Sequence, residues 1–200
     1  MTNVCYAGEA GSYAPKRIGI FGGSFDPVHD GHIHLAKLAR EAADLDEVWF
    51  LPCRISPHKT GSPPTPAKAR VKWLEIATAN IPWARIEKYE LQSDGPSYSY
   101  KTIQALAEKH PGTEWFWIMG GDQWAALPTW KHPEIIAELV TFIVLARNGA
   151  TVRPREGYRM ISVKGEHPAS ATEIRLALAD GERDIPHLDP AVALDITGKK

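Results

Sequence analysis

Arg17-Ile-Gly-Ile-Phe-Gly-Gly-Ser-Phe-Asp-Pro-Val-His-Asp-Gly-His32 is the stretch on which the reading of this chain turns. Arg17 to Phe21 is a short strand-forming run closed by Gly22-Gly23. From Asp30 to Ala43 the apolar residues Ile33, Leu35, Ala36, Leu38 and Ala39 recur at helical spacing. The segment between strand and helix carries the chemistry. Its glycines let backbone come close to a ligand, and the helix N-terminus beyond them offers free N–H groups and a partial positive charge to an anion. His29 and His32 are three residues apart, so at a helix start both imidazoles can point the same way, as a neutral-to-cationic clamp for a phosphate. Neither the G-x-x-x-x-G-K-[ST] loop nor a G-x-G-x-x-G follows the strand. The plainer alternative, that both histidines only cap and pack a helix start, must place two histidines, three glycines and a proline at one junction by coincidence.

Working outward, the same alternation repeats. Strands are expected at Glu47 to Leu51, Arg85 to Leu91, Glu114 to Met119, Thr141 to Leu145 and Arg159 to Val163. Helices are expected at Ala67 to Ala79, Ser97 to Lys109, Glu134 to Leu139, Ser170 to Ala179 and Pro190 to Ile196, with a turn-rich loop from Pro52 to Pro66. Glu114-Trp-Phe-Trp-Ile-Met119 is apolar enough to be covered on both faces. This pattern argues a Rossmann-like, doubly wound α/β fold: a parallel sheet in a single domain with a C-terminal helical portion. Ligands of such sheets sit beyond the carboxyl ends of the strands. Residues 1–15 read as a flexible extension and 16–200 as the one folded domain.

Composition bounds the function. With 200 residues, 44% of them hydrophobic, the chain can bury one substantial core. Its 23 basic and 24 acidic residues leave a net charge of −1, against any broad nucleic-acid or anionic-membrane surface. Two cysteines, Cys5 and Cys53, make neither a disulfide framework nor a four-sulfur zinc site. No apolar run approaches a bilayer span, and the N-terminus lacks a secretory pattern, so the expected setting is the cytoplasm.

Ordered motifs narrow this further. The run Gly22–His32 resembles the G-G-x-F-D-P-x-H-x-G-H signature of the nucleotidyltransferase superfamily, and the whole chain from about Lys16 resembles the bacterial nicotinate-nucleotide adenylyltransferase family. Ser56-Pro-His-Lys59 looks like that family's P-P-H-[KR] loop, with Ser56 in place of the first proline, and Pro96-Ser-Tyr-Ser99 like its P-S-Y-[ST]. Gly120-Gly-Asp122 followed by Pro128-Thr-Trp130 looks like its G-x-D…W segment. Ser170-Ala-Thr-Glu-Ile-Arg175 looks like its [IV]-S-[SA]-T-x-I-R, with Ala169 in the slot of the usual Ile or Val.

The resemblance implies adenylyl transfer from ATP, with its magnesium, to nicotinic acid mononucleotide, giving deamido-NAD and pyrophosphate. It implies that His29 and His32 contact the ATP phosphates and stabilise the transition state. Gly22, Gly23, Ser24, Phe25, Gly120, Asp122, Ser170, Thr172 and Arg175 would complete the ATP site, Asp122 accepting from the ribose. His58, Lys59, Ser99, Trp130 and Lys131 would bind the mononucleotide, Trp130 stacking on the pyridine and backbone N–H groups near Ser99 and Lys131 holding its carboxylate. No dedicated protein metal site, nucleic acid or membrane partner is implied, and the chain would act as monomer or homodimer.

Of the seven tryptophans, Trp49, Trp73, Trp115 and Trp117 read as structural, while Trp83 and Trp124 are undecided. Three rivals stand beside this reading: a pantetheine-phosphate adenylyltransferase or small cytidylyltransferase, a metal-dependent hydrolase built on His29, His32, His34 and Asp30, and a nucleotide-sensing module. The hydrolase suffers from spacing, since at about 100° per residue His34 lies about 200° around the helix from His32.

Overall fold

The computed structural model describes residues 14–55, 64–93, 95–146, 152–182 and 184–198. Strands β1 (Arg17–Gly23), β2 (Glu47–Pro52), β3 (Ala84–Ile86), β4 (Glu114–Gly120), β5 (Val140–Ala146) and β6 (Met160–Lys164) form one sheet in the order β3-β2-β1-β4-β5-β6. Every neighbouring pair is parallel, with Ile20 facing Trp49 on one side and Trp117 on the other. This is the doubly wound order, and it reverses between β1 and β4.

The apolar runs form the central strands because both faces of the sheet are covered. On one face α1 (Asp30–Ala42), α2 (Ala67–Thr78), α7 (Ala171–Ala179) and α8 (Pro190–Thr197) bury Phe50, Leu74, Phe116, Ile143, Ile174 and Val192. On the other, α4 (Ser99–Lys109), α5 (Gly121–Ala126) and α6 (Pro133–Leu139) cover Ile18, Ile20, Trp117, Phe142 and Val144. Trp49, Trp73, Trp115 and Trp117 are all buried, as expected, and Trp124 joins them at 4% exposure. Trp83 is partly buried against the first core, with Arg40 5.9 Å above its ring. Among the described residues no helix is long and apolar enough to cross a membrane.

One expectation is corrected. The third strand ends at Ile86, and Tyr89–Gln92 is a helical turn, α3, not a continuation to Leu91. As the edge strand, β3 pairs only with β2, and the Glu87 carboxylate accepts the Tyr89 N–H, turning the chain into a helix there. The segment after β4, for which no element was expected, forms α5 and a 3-10 turn, Leu127–Thr129. The extension expected over 1–15 lies, up to residue 13, outside the described residues, as do His58 and Lys59.

Candidate active site

The carboxyl ends of β1 and β4 are where the sheet order reverses, and Gly22, Gly23, Ser24, Gly120, Trp130 and Lys131 gather there, whereas His29 lines a separate cavity with Asp30, His34 and His167. After β1 the chain turns sharply through Phe25, whose φ of 49° is unusual for a bulky residue. What holds it is packing: the Phe25 ring is 1% exposed and lies edge-on to Phe21, Phe50 and His32. A Cβ at Gly23 would stand 3.0 to 3.2 Å from that ring, so glycine is required there for the turn to tuck in. Only the backbone of Phe25 is therefore left to face a ligand.

His29 is the N-cap of α1 and His32 sits one turn in. Their rings lie 3.8 Å apart, tilted by 36°, and the His29 backbone N–H donates to Nδ1 of His32 over 3.3 Å. That bond leaves Nε2 of His32 as the N–H donor. Burial pushes the pKa of His29 down to about 4, helped by neighbouring His167 and His187, and that of His32 down to about 3, helped by His29. The two side chains are thus a pair of neutral imidazoles at neutral pH. Gly31 belongs to the construction of this pair: a Cβ there would meet the His29 ring at 3.0 Å and Nδ1 of His167 at 3.2 Å. His34 turns away from His32 and faces His167, ring centroids 5.4 Å apart. Among the described residues no three His, Cys, Asp or Glu side chains gather to hold a metal ion, which leaves the metal-hydrolase arrangement without its ligand set.

Two cavities meet at the reversal point. One, of about 380 Å³, brings together Gly22, Gly23, Ser24, Ser99, Gly120, Trp130 and Lys131. Trp130 stands edge-on to Trp117 at 6.4 Å, and Nζ of Lys131 lies 4.9 Å over the Tyr98 ring. The other, a groove of about 1090 Å³, is bordered by Gly120, Gly121, Asp122, Trp124, Arg153 and Ser170. Phe21 and Gly120 line both. Asp122 lies in the first turn of α5, exposed toward the groove.

Ser170 caps α7 by accepting the Glu173 N–H over 3.4 Å. Arg175 reaches back across the site, donating to the Asp26 carbonyl at 2.7 Å and to the Thr172 hydroxyl at 3.3 Å. The α7 terminus is thereby joined to the loop after β1. Sequence reasoning passed over two polar groups behind this loop. Arg70, 1% exposed, donates from its Nη1, Nη2 and Nε to the carbonyls of Ser24, Cys53 and Thr65 at 2.5, 2.8 and 2.8 Å. Glu90, 6% exposed, accepts from the Thr102 hydroxyl at 2.9 Å, and burial raises its pKa to about 7 against the pull of the Thr102 and Ser97 hydroxyls. In the sequence Arg70 is one more basic residue on a helix, and only its near-absence of solvent would have marked it.

Three comparisons bear on these features. The cytidylyltransferase-like family matches residues 20–177. A probable nicotinate-nucleotide adenylyltransferase of Geobacillus kaustophilus is 40% identical over 167 residues, which is 83% of this chain and 76% of the relative. One of Bacillus cytotoxicus is 42% identical over 149 residues, 74% of this chain and 78% of the relative. In fold, the chain superposes on Plasmodium falciparum nicotinic acid mononucleotide adenylyltransferase complexed with APC, with TM-score 0.70 and 22% identity over 92% of this chain and 95% of that one. The same enzyme complexed with NaAD gives 0.69 and 21% over the same shares.

Proposed function

The chain belongs to the cytidylyltransferase-like family and, within it, to the nicotinate-nucleotide adenylyltransferases, and on that premise we propose how its own residues divide the reaction. The enzyme transfers AMP from ATP to nicotinic acid mononucleotide, giving deamido-NAD and pyrophosphate, a step of NAD biosynthesis. The observation that carries the residue-level reading is the meeting of two cavities at Phe21 and Gly120. One suits a flat aromatic ring and the other a nucleotide with a long anionic tail.

A phosphate oxygen of the mononucleotide attacks the α-phosphorus of ATP, forming one P–O bond while the bond to pyrophosphate breaks. The nucleophile is already an anion, so no general base is needed; the protein must align two phosphates and meet the charge that spreads over the transferring group. His29 and His32 do this as neutral N–H donors, aimed before substrate arrives. Their neutrality avoids trapping the ground-state triphosphate in a tight ion pair, and their donors gain strength as negative charge builds on the bridging oxygen. Gly22, Gly23 and Ser24 bring backbone amides to the phosphates. Ser170, Thr172 and Arg175 take the outer phosphates at the α7 terminus.

Asp122 accepts from the ATP ribose, Trp130 stacks on the pyridine, Ser99 and Lys131 present N–H groups to its carboxylate, and His58 and Lys59 meet the mononucleotide phosphate. A divalent ion entering with ATP would supply charge neutralisation at the leaving pyrophosphate, and among the described residues no cluster of carboxylates or histidines is dedicated to holding it. The reading extends to a cytoplasmic enzyme of small molecules, monomer or homodimer, with residues 16–200 as its single domain.

The direct test follows pyrophosphate release from ATP and magnesium with nicotinic acid mononucleotide, nicotinamide mononucleotide or phosphopantetheine as acceptor. Release with the nicotinic acid compound is expected. A His32→Ala variant with an unchanged circular dichroism spectrum should lose about 100-fold or more in kcat. Release with phosphopantetheine and neither pyridine mononucleotide would overturn the assignment, and full activity in His32→Ala would remove the clamp.

A further inference from the structure

The pocket that takes the pyridine in this reading has a lopsided charge pattern. Of the described side chains lining it, Lys131 is the only cation and Glu90 the only carboxyl group. They are not partners. Glu90 is buried on the Thr102 and Ser97 hydroxyls. Lys131 pairs with no carboxylate among the described residues; its ammonium rests 4.9 Å over the face of Tyr98, beside Trp130. A cation over an aromatic face keeps most of its charge available to a further anion. The first turn of α4 starts at Ser99 on the same wall, where helix geometry leaves N–H groups without acceptors inside the helix.

We infer that the Lys131 side chain, distinct from its backbone N–H, is the residue by which this enzyme selects a pyridine acid over the corresponding amide. The two acceptors are nearly the same in shape and differ by one negative charge at neutral pH, so shape alone separates them poorly. A backbone N–H donates equally well to a carboxylate or to an amide oxygen. An ammonium does not treat them alike: it attracts the carboxylate and gives the amide only an ion–dipole contact. The buried Glu90 side of the pocket strengthens the preference for one orientation, because the acceptor's own charge is kept away from a second carboxyl group.

The inference rests on the acceptor being a pyridine mononucleotide, and the experiment separates the two claims. Specificity constants, kcat/KM, are measured for nicotinic acid mononucleotide and nicotinamide mononucleotide, each with saturating ATP, for the wild-type enzyme, Lys131→Ala and Lys131→Arg. Lys131 is exposed, so both variants should keep the native circular dichroism spectrum. The wild type should prefer the acid. In Lys131→Ala the acid-to-amide ratio should fall about tenfold, equivalent to about 1.4 kcal/mol, mainly through KM for the acid. Lys131→Arg, which keeps the charge, should hold the ratio within about threefold of wild type. A Lys131→Ala ratio within about twofold of wild type, or an equal loss for both acceptors, would overturn the inference while leaving the adenylyltransferase intact. Wild-type enzyme that uses both acceptors equally would also overturn it, and enzyme that uses neither would take down both claims.

Discussion

His32 shows how packing and burial set the protonation state of one side chain. Its Nδ1 is occupied by the His29 N–H, its ring is wedged against Phe25 at 5.0 Å, and burial keeps it neutral to about pH 3. The same burial has a cost in acid. In the unfolded chain both histidines take up protons near pH 6.5, whereas in the folded chain His29 waits until about pH 4 and His32 until about pH 3. Above about pH 6.5 neither state is charged and the pair costs nothing. As pH falls below that, protonation favours the unfolded chain, and stability should drop by several kcal/mol before the folded values are reached. The melting temperature followed from pH 7.5 to 4.5 should therefore decline more steeply for wild type than for a His29→Gln, His32→Gln double variant. Parallel curves would mean that the imidazoles are not desolvated as the structure has them.

At the scale of elements, the loops around the site are held from behind. Arg70, on α2, fastens the carbonyls of Ser24, Cys53 and Thr65, which belong to the loop after β1, the end of β2 and the approach to α2. On the opposite side Arg175, on α7, fastens the Asp26 carbonyl. Removing the Arg70 guanidinium would leave three carbonyls unsatisfied in a nearly dry place. Arg70→Ala should thus destabilise the fold by about 3 kcal/mol or more, seen as a lower denaturant midpoint. A shift below about 0.5 kcal/mol would mean that these bonds are readily replaced by water. This level was the least legible beforehand. The motif residues could be quoted because their spacing along the chain is local, but Arg70 bonds to carbonyls 5, 17 and 46 positions away. Backbone acceptors leave no mark in a sequence. The same applies to α3 and α5, each shorter than two turns, whose apolar residues are too few to display a period.

For the whole molecule, the parallel doubly wound sheet was legible from its core. Continuous apolar runs such as Trp115–Met119 and Phe142–Leu145, alternating with helical patterns, fit strands covered on both sides in a layered α/β arrangement. Once the strand order reverses between β1 and β4, the position of the site follows. Gly22, Gly23 and Ser24 of the Gly-rich turn lie there, and so do Trp130 and Lys131, about a hundred residues further along the chain, while His29 lines a neighbouring cavity with His34 and His167. The near-zero net charge leaves any anionic substrate to be met locally, and among the described residues Lys131 is the cation that lines the smaller cavity. Less could be read of how the work divides between the cavities: Gly22, Gly23 and Ser24, expected on the ATP side, line the smaller pocket together with Trp130.

Calorimetric titration of Trp130→Ala distinguishes the two cavities, with each substrate titrated separately so that no turnover occurs. Loss of the stacking face should weaken nicotinic acid mononucleotide about tenfold and leave magnesium–ATP within about twofold of wild type. Equal weakening of both would contradict two cavities meeting at the tips of β1 and β4, and would return Trp130 to the core.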